Sequence, residues 1–232
     1  MQFDIFFISY QEPNADQNWA HLRTRFPYAK RLHGIKGIHR AHQQAAKLSF
    51  TEKFWVVDGD STVEDEFDFA PPEVMNKNQL DGILDAVYVY RARNPVNGLE
   101  YGNGGIKLLP KKQTLHMNTN TTDMTTSISK NFFPQDTVAS VTCFNTDGFN
   151  TWRSAFRECV KLSSGIIEGQ LNEETLKRLA VWTTQAHGDF ADECLLGARA
   201  GSDYGTTYKN DVQALQKIND FAWLRKQYET KI

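Results

Sequence analysis

Two short and nearly continuous apolar runs constrain the fold of this chain more than any other feature of the sequence. The first covers residues 3–10 (FDIFFISY) and ends just before Pro13; the second covers residues 54–57 (FWVV) and leads into Asp58-Gly59-Asp60. β-Strands that are covered by helices on both faces show this pattern, because neither face meets water. The runs therefore predict two interior strands of a mostly parallel central sheet.

The remaining segments alternate between helical and strand patterns. After the first run, Trp19, Leu22 and Phe26 recur at helical spacing, and Pro27 ends the pattern. Further strands are predicted near residues 86–90, 105–109 and 138–144, and further helices near 38–48, 151–162, 173–184, 190–199 and 210–228. The 232 residues have the length of one domain. We predict a single α/β domain with helices on both faces of the sheet.

One long segment, residues 115–133, is rich in Thr, Asn and Ser and shows little periodicity. Loops of this length in compact domains are often functional. We therefore expect a loop or lid that becomes ordered when a ligand binds.

Charge and cysteine content exclude several classes of protein. The formal net charge is −2, so no overall positive field draws the chain to nucleic acid or anionic lipid. Cys143, Cys159 and Cys194 are odd in number and lack metal-site spacing, which predicts buried thiols. No apolar run approaches the roughly 18 residues that span a bilayer, and residues 1–10 lack the features of a signal peptide. We expect a cytoplasmic protein with no membrane partner.

The second run places two carboxylates one residue apart where the strand leaves the sheet. Ligands of open α/β sheets bind at the carboxyl ends of the strands. Asp58 and Asp60 can therefore hold one hard cation, Mn²⁺ or Mg²⁺, whose other ligands are water and substrate phosphates. Such an ion neutralises charge on a diphosphate leaving group. The alternative is that Asp58-Gly59-Asp60-Ser61 is only a turn, since Asp and Gly are common in turns.

On the metal interpretation, the two aspartates act through their charge and not through packing. We expect Asp60→Asn, and to a lesser degree Asp58→Asn, to abolish metal-dependent ligand binding. The fold should stay intact in both variants.

The surroundings of this aspartate pair resemble a known family. In residues 31–67 (RLHGIKGIHRAHQQAAKLSFTEKFWVVDGDSTVEDEF), a charged residue and Gly precede an Ala-rich helix, a hydrophobic strand and the Asp-x-Asp motif. Residues 8–19 (ISYQEPNADQNW) correspond to the first strand and the loop after it. Order and spacing are similar to those of the inverting nucleotide-sugar glycosyltransferases, the family that includes bacterial polysaccharide synthases. The family's usual Tyr-Asn pair after the first strand is altered here.

The resemblance implies a metal-dependent transferase with the GT-A fold, which is Rossmann-like. Residues 1–69 would form the half that binds the nucleotide sugar, and residues 70–232 would form the acceptor half. The expected donor is a UDP-linked sugar, and the expected cation is Mn²⁺ or Mg²⁺. The resemblance assigns Ser9, Tyr10, Glu12, Lys36, Asp58 and Arg199 to the donor, and Asp58, Asp60 and His187 to the cation. Lys36 and His187 could equally be ordinary surface residues.

A second match to the family lies downstream. Residues 192–199 (DECLLGAR) fit the family pattern E-D-x-x-L-x-x-R with the two acids exchanged. The family's catalytic base is the second acid, so the position favours Glu193 and the residue type favours Asp192. An inverting transfer needs such a carboxylate to take the proton of the acceptor hydroxyl. The alternative is that both acids only stabilise the first turn of a helix through its dipole.

The acceptor is predicted from a narrower resemblance. The combination of SYQEPNADQNW and AKRLHGIKG is similar to the compact glycosyltransferases of T-even-like bacteriophages. Some of that group resemble enzymes that add sugars, arabinose included, to hydroxymethylated cytosine, which implies a DNA acceptor in the host cytoplasm. Basic side chains, Lys107 and Lys111 among them, could then contact phosphates. The alternatives are a saccharide or surface-glycan acceptor, and a non-catalytic module that only binds sugar nucleotides.

Overall fold

The computed structural model describes residues 2–72, 84–121, 123–165 and 173–230, and the chain divides into two compact units. The first unit comprises Met1–Asn94, Glu100–Thr119 and Met124–Cys143. The second comprises Pro95–Leu99, Asn120–Asp123 and Phe144–Ile232. Much of the predicted acceptor half, up to residue 143, therefore belongs to the same unit as the Asp-x-Asp motif.

The first unit contains a mixed β-sheet, which among the described residues has seven strands in the order β2-β1-β3-β6-β5-β7-β4. The strands are β1 Asp4–Ser9, β2 Lys30–His33, β3 Lys53–Asp58, β4 Ser61–Val63, β5 Val87–Arg93, β6 Glu100–Pro110 and β7 Phe132–Thr142. β1 is parallel to β2 and β3, and β5 is parallel to β7. The pairs β3–β6, β5–β6 and β4–β7 are antiparallel.

The α/β class is confirmed, but the expectation of a mostly parallel sheet is wrong in its detail. Only a short segment separates Arg93 at the end of β5 from Glu100 at the start of β6. A parallel crossover needs a dozen or more residues, so these two strands must run in opposite directions. The burial pattern of a single strand does not encode the direction of its neighbour, and periodicity therefore could not predict this reversal.

Helices cover both faces of the sheet in the first unit, as predicted. Helix α1, Ala15–Arg25, packs Leu22 on the face that carries Phe7 and Trp55. Helix α2, Ile38–Leu48, packs Ala45 on the opposite face, which carries Phe54. The short helix α3, Lys111–Leu115, follows β6. Successive residues of β1 and β3 thus enter two different hydrophobic clusters, which explains their continuous apolar runs.

The polar segment 115–133 is more closely packed than a free loop. Met117, Met124 and Ile128 are buried in the same cluster as α2, and Thr125–Ser127 forms a turn of 3₁₀-helix. β7 already begins at Phe132. The part of the segment that could act as a lid is therefore mainly residues 118–123, and residue 122 lies outside the described part of the chain. That the segment becomes ordered when a ligand binds stays a prediction.

The second unit is helical where it is described. Its helices are α4 Gly148–Ser164, α5 Glu173–Thr184, α6 Ala191–Thr207, α7 Val212–Gln216 and α8 Phe221–Glu229. The helix predicted over residues 210–228 is interrupted by a 3₁₀ turn, Lys217–Asn219, and restarts at α8. The carboxylate of Asp220 accepts hydrogen bonds from the amides of Ala222 and Trp223, which caps the new helix.

Helices α4 and α6 lie unusually close together because α6 carries glycine at every fourth position of one face. A Cβ atom added at Gly197 would overlap the carbonyl oxygen of Trp152, and one at Gly201 would overlap that of Phe156. Gly205 meets α4 in the same way. The absence of side chains at these positions lets the two backbones touch.

The remaining sequence predictions concern thiols and membranes. All three cysteines are free, and Cys159 and Cys194 are buried as predicted, whereas Cys143 is only half-buried. Burial raises the pKa of the Cys194 thiol to about 12. In the described ranges, no helix combines the length and the apolar character that crossing a bilayer requires.

Candidate functional site

The carboxyl ends of three parallel strands meet at one edge of the sheet. In the strand register, Ser9 at the end of β1 lies opposite His33 of β2, and Ile8 lies opposite Asp58 of β3. Helix α2 begins close behind β2, after Gly37, whose φ of 97° is a conformation that glycine adopts readily. Such an edge is where open α/β sheets bind ligands. Lys36, predicted to bind the donor, is exposed in the loop before this helix.

The Asp58-Gly59-Asp60 turn is held in place by a buried side chain of α1. The amide group of Asn18, which is 4% exposed, donates to the carbonyl oxygen of Gly59 over 2.9 Å. The same side chain accepts a 2.8 Å hydrogen bond from the hydroxyl of Thr62. The amide of Cys143 donates to the carbonyl oxygen of Asp60. These hydrogen bonds fix the position of the turn relative to α1 and β7.

A third carboxylate lies against this turn. The Tyr10 amide donates to Glu12 Oε2 over 2.6 Å, which directs the Glu12 carboxylate over Gly59. A Cβ atom added at Gly59 would lie 2.8 Å from that oxygen and 2.9 Å from the Cβ atom of Ser9. Only glycine fits between the two strand ends. The structure thus brings together four of the predicted donor residues, Ser9, Tyr10, Glu12 and Asp58.

Ser9 also belongs to a polar network that sequence reasoning missed. Its hydroxyl, on a side chain that is 2% exposed, accepts a 3.1 Å hydrogen bond from Arg31 Nε and lies 2.9 Å from His33 Nδ1. The guanidinium of Arg31 also pairs with Asp16 over 2.7 Å. The parallel pairing of β1 with β2 creates this contact. The short polar run at residues 30–33 was the signal in the sequence that could have indicated it.

The largest departure from expectation is a buried lysine beside the first aspartate. Lys107 Nζ lies 2.8 Å from both carboxylate oxygens of Asp58. The Lys107 side chain is 2% exposed and that of Asp58 is 33% exposed. Lys107 sits on β6 opposite Val56 of β3, on the face of the sheet that α2 covers. It is therefore a structural partner of Asp58, and the suggestion that it contacts DNA phosphates is wrong.

This ion pair also corrects the expected behaviour of one variant. Asp58→Asn would deprive the buried ammonium of Lys107 of this counter-charge, and removing one partner of a buried pair is strongly destabilising. Asp58 thus contributes to stability as well as to any ligand site. That Asp58→Asn leaves the fold intact stays a prediction, and the ion pair adds an expected loss of stability. A charged residue within the apolar run IKLL of β6 was the signal for such a partner.

A buried histidine of α2 lies in the same region. His42 is 1% exposed, and its Nδ1 lies 2.8 Å from the carbonyl oxygen of Ile38. Burial, and then the charge of Lys107, lower the pKa of His42 to about 3. The imidazole is therefore neutral, with its proton on Nδ1. It adds no positive charge to the sheet edge.

The carboxylates of the turn match a hard cation only in part. No group of three or more His, Cys, Asp or Glu side chains in the described portion of the chain could hold a metal ion. Mg²⁺ and Mn²⁺ are nevertheless often held by one or two carboxylates together with substrate phosphates. Asp58 and Asp60 fit that smaller donor set, although both oxygens of Asp58 also contact Lys107. A cation here would depend on phosphate oxygens for most of its remaining ligands.

The acids of the downstream motif lie in the first turn of α6, in the second unit. Asp192 is exposed, whereas Glu193 is half-buried. A Cβ atom added at Gly148, the first residue of α4, would lie 3.2 Å from Glu193 Oε1 and 2.7 Å from the hydroxyl of Tyr228. Burial, and then the charges of Glu193 and Asp147, raise the pKa of Tyr228. Glu193 thus lies beside the N-terminus of α4, and its charge acts on the Tyr228 hydroxyl.

The other predicted residues of the second unit have different surroundings. Leu196 is 48% exposed, so it contributes little to packing. Arg199 is exposed, and its Nε donates to the carbonyl oxygen of Thr183 over 3.0 Å, which links α6 to α5. His187 is exposed, and its backbone amide donates to the carbonyl oxygen of Val96. The roles of Arg199 with the donor and of His187 with a cation stay predictions.

Comparisons with known proteins yield fold similarities alone. No protein-family model matches the sequence, and no curated protein is similar to it. One similar solved structure is a glycosyltransferase involved in the glycosylation of the major capsid of PBCV-1, with a TM-score of 0.38 and 13% identity; the match covers 62% of this chain and 94% of that one. Another is HddC from Yersinia pseudotuberculosis, with a TM-score of 0.33 and 19% identity over 58% of this chain and 69% of that one. Both are distant similarities.

Proposed function

We propose that the chain is an inverting glycosyltransferase that uses a nucleoside-diphosphate sugar, with the donor bound at the carboxyl edge of β1, β2 and β3. The observation that carries this proposal is the clamped Asp58-Gly59-Asp60 turn. Asn18 fixes the turn, and the Glu12 carboxylate lies against it. Acidic side chains and the start of α2 are therefore found at the same edge of the sheet. Helix N-termini and hard cations are two common means of binding phosphate.

In this proposal Asp58 and Asp60 would hold a divalent cation, Mn²⁺ or Mg²⁺, together with the donor diphosphate. The ion would neutralise charge that develops on the nucleoside-diphosphate leaving group. Asn18 keeps the turn from moving as that charge develops, through its bond to Gly59. Pre-organised groups of this kind stabilise a transition state without reorganising.

Glu193 and Asp192 are the candidates for the base. As the acceptor oxygen attacks the anomeric carbon, the carboxylate takes the hydroxyl proton and the bond from that carbon to the diphosphate breaks. The α6 N-terminus stabilises the ionised carboxylate that this step requires. We place Glu193 first because it occupies the second acid position of the motif and lies beside Gly148, at the start of α4.

For the acceptor, we propose hydroxymethylated cytosine in DNA. The support is the resemblance of residues 9–19 and 29–37 to phage transferases. Weak retention of DNA that modest salt removes would agree with it, because phosphate contacts release counterions. Transfer to a saccharide but not to modified DNA would replace it with a glycan acceptor.

The direct test is a thermal-shift panel of nucleoside diphosphates and sugar nucleotides, each with and without Mn²⁺. A ligand that binds only the folded state raises the unfolding temperature. We expect a shift with at least one nucleoside diphosphate, larger in the presence of Mn²⁺. The absence of any shift across the panel would contradict the proposal, and binding without turnover of any sugar nucleotide would reduce the chain to a binding module.

A further inference from the structure

The buried lysine beside the Asp58-Gly59-Asp60 turn changes how that turn can bind a cation. Lys107 Nζ contacts both oxygens of Asp58 at 2.8 Å, and its side chain is 2% exposed. β6 lies between β3 and β5, so Lys107 projects from an interior strand of the sheet. Its positive charge is therefore a fixed part of the surroundings of the turn.

A fixed positive charge weakens cation binding in two ways. Affinity for hard cations grows with the carboxylate charge of the site, and Lys107 already balances the charge of Asp58. The ammonium also repels an arriving cation directly. The turn is thus a poorer cation site than its sequence alone implies.

Compensation for this positive charge does not come from His42. That imidazole is neutral, and its one bonded nitrogen serves the backbone of α2 at Ile38. The carboxylates of Asp60 and Glu12 remain, but the Glu12 carboxylate already accepts the Tyr10 amide. A diphosphate ligand would add further negative charge and the oxygen ligands that these side chains do not supply.

We propose that Lys107 prevents the turn from binding a divalent cation by itself, so that the cation enters only together with the donor diphosphate. Lys107 neutralises the charge of Asp58 and occupies both of its oxygens. The phosphate oxygens of the donor would supply negative charge and metal ligands in their place. This inference rests on the proposed function, because a nucleoside diphosphate completes the site. Lys107 is accordingly a positioning residue that sets the order of binding, and it does not touch the sugar.

The experiment measures Mn²⁺ binding by electron paramagnetic resonance, which counts free Mn²⁺, with and without UDP. Wild type should bind Mn²⁺ weakly alone and about tenfold or more tightly with UDP, and the coupling should be reciprocal. Lys107→Met should bind Mn²⁺ alone about tenfold or more tightly than wild type does, since Asp58 regains its charge.

Lys53→Met is the matched control. Lys53 is also a lysine buried in this sheet, at 1% exposure, but its Nζ donates to the carbonyl oxygen of Ala86. This variant should bind Mn²⁺ as wild type does. If Lys107→Met fails to fold, the wild-type measurements still test the proposal, because they require Mn²⁺ binding to depend on UDP.

Equal Mn²⁺ affinity in wild type and Lys107→Met would overturn the role of Lys107, and so would wild type that binds Mn²⁺ equally with and without UDP. Either result leaves the proposed function standing, provided that UDP or another nucleoside diphosphate binds. Failure of every nucleoside diphosphate to bind, with or without Mn²⁺, removes the proposed function itself.

Discussion

The sheet edge of the first unit and the α4–α6 pair of the second carry their acidic motifs in different ways. At the edge, Asp58 is tied to Lys107 and its turn to Asn18, so the same side chains serve stability and the proposed site. On α6, packing depends on glycines such as Gly201, while Asp192 is exposed at the helix start. Stability and chemistry should therefore be separable on α6 and inseparable at Asp58.

The largest expected effect tests whether α6 contributes chemistry at all. If Glu193 is the base, Glu193→Gln should lower transfer by about a hundredfold to ten-thousandfold, the usual range for general base catalysis. Donor affinity should hardly change, because the carboxylate acts on the acceptor. Turnover under saturating donor measures this, with Asp192→Asn in parallel.

Asp203→Asn is the control for both amide variants, since Asp203 is an exposed acid further along α6. It should retain full turnover. A large loss in Asp192→Asn alone would move the base to the exposed acid. Near-normal turnover in both amide variants would mean that α6 has a structural role and supplies no catalytic base. The motif match at residues 192–199 would then be accidental.

The glycine packing of α6 predicts the next largest effect. Gly201→Ala places a methyl group into the Phe156 carbonyl, so the two helices must move apart. We expect a loss of about 3 kcal/mol or more in the free energy of unfolding, at the upper end for overpacked sites. Ser202→Ala, at the neighbouring position of α6, should change it by less than about 0.5 kcal/mol. Urea denaturation measures the free energy of unfolding of both variants. Equal values for Gly201→Ala and Ser202→Ala would refute the close packing of α4 on α6.

At the sheet edge, the two aspartates of the turn should differ in their effect on stability. Asp58→Asn removes the counter-charge of Lys107 and should lower the unfolding free energy by about 2 kcal/mol, less than for a fully buried pair because Asp58 is partly exposed. Asp60→Asn leaves the Asp58–Lys107 pair intact and should lower it by less than Asp58→Asn does. If chemical denaturation gives the same loss for both, the Asp58–Lys107 pair is not a stabilising feature.

An effect of similar size, seen only above pH 8, concerns the pH dependence contributed by Lys53. Burial lowers the pKa of Lys53 from 10.5 to about 8 in the folded state. Between pH 8 and 10.5, Lys53 is protonated to a greater extent in the unfolded chain than in the folded protein. The free energy of unfolding therefore rises with pH over this range, and the gain is lost as the pH falls to 8. Lys53→Met lacks this slope. Relative to Lys53→Met, wild type should gain about 2 kcal/mol between pH 8 and 10.5, and parallel stability curves would refute the shift.

Much of the first unit could be predicted because its signals are local. The runs at residues 3–10 and 54–57 and the stripe on α2 mark elements whose ends agree closely with the structure. Strand direction could not be predicted, because it depends on the short connection between β5 and β6. The break before α8 was missed because Asp220, an ordinary acid in a helical pattern, proved to be a cap.

The site was predictable in its position and not in its electrostatics. Asp58 and Asp60 follow an obvious strand, so their place at the sheet edge could be deduced from the sequence. The partner of Asp58 lies far along the chain, on a strand that only the fold brings next to β3. No sequence motif could therefore indicate that Lys107 pairs with Asp58 or that Asn18 bonds to Gly59, although these contacts set the charge and the position of the turn.

One measurement tests the central claim, that the Asp58-Gly59-Asp60 turn binds the donor diphosphate through a cation. Isothermal titration of a nucleoside diphosphate into wild type and Asp60→Asn, each with and without Mn²⁺, isolates that role, because the variant keeps the Asp58–Lys107 pair. We predict that Asp60→Asn binds the nucleotide about tenfold or more weakly than wild type when Mn²⁺ is present, and equally when it is absent. The same Mn²⁺-dependent affinity in both proteins would contradict the account.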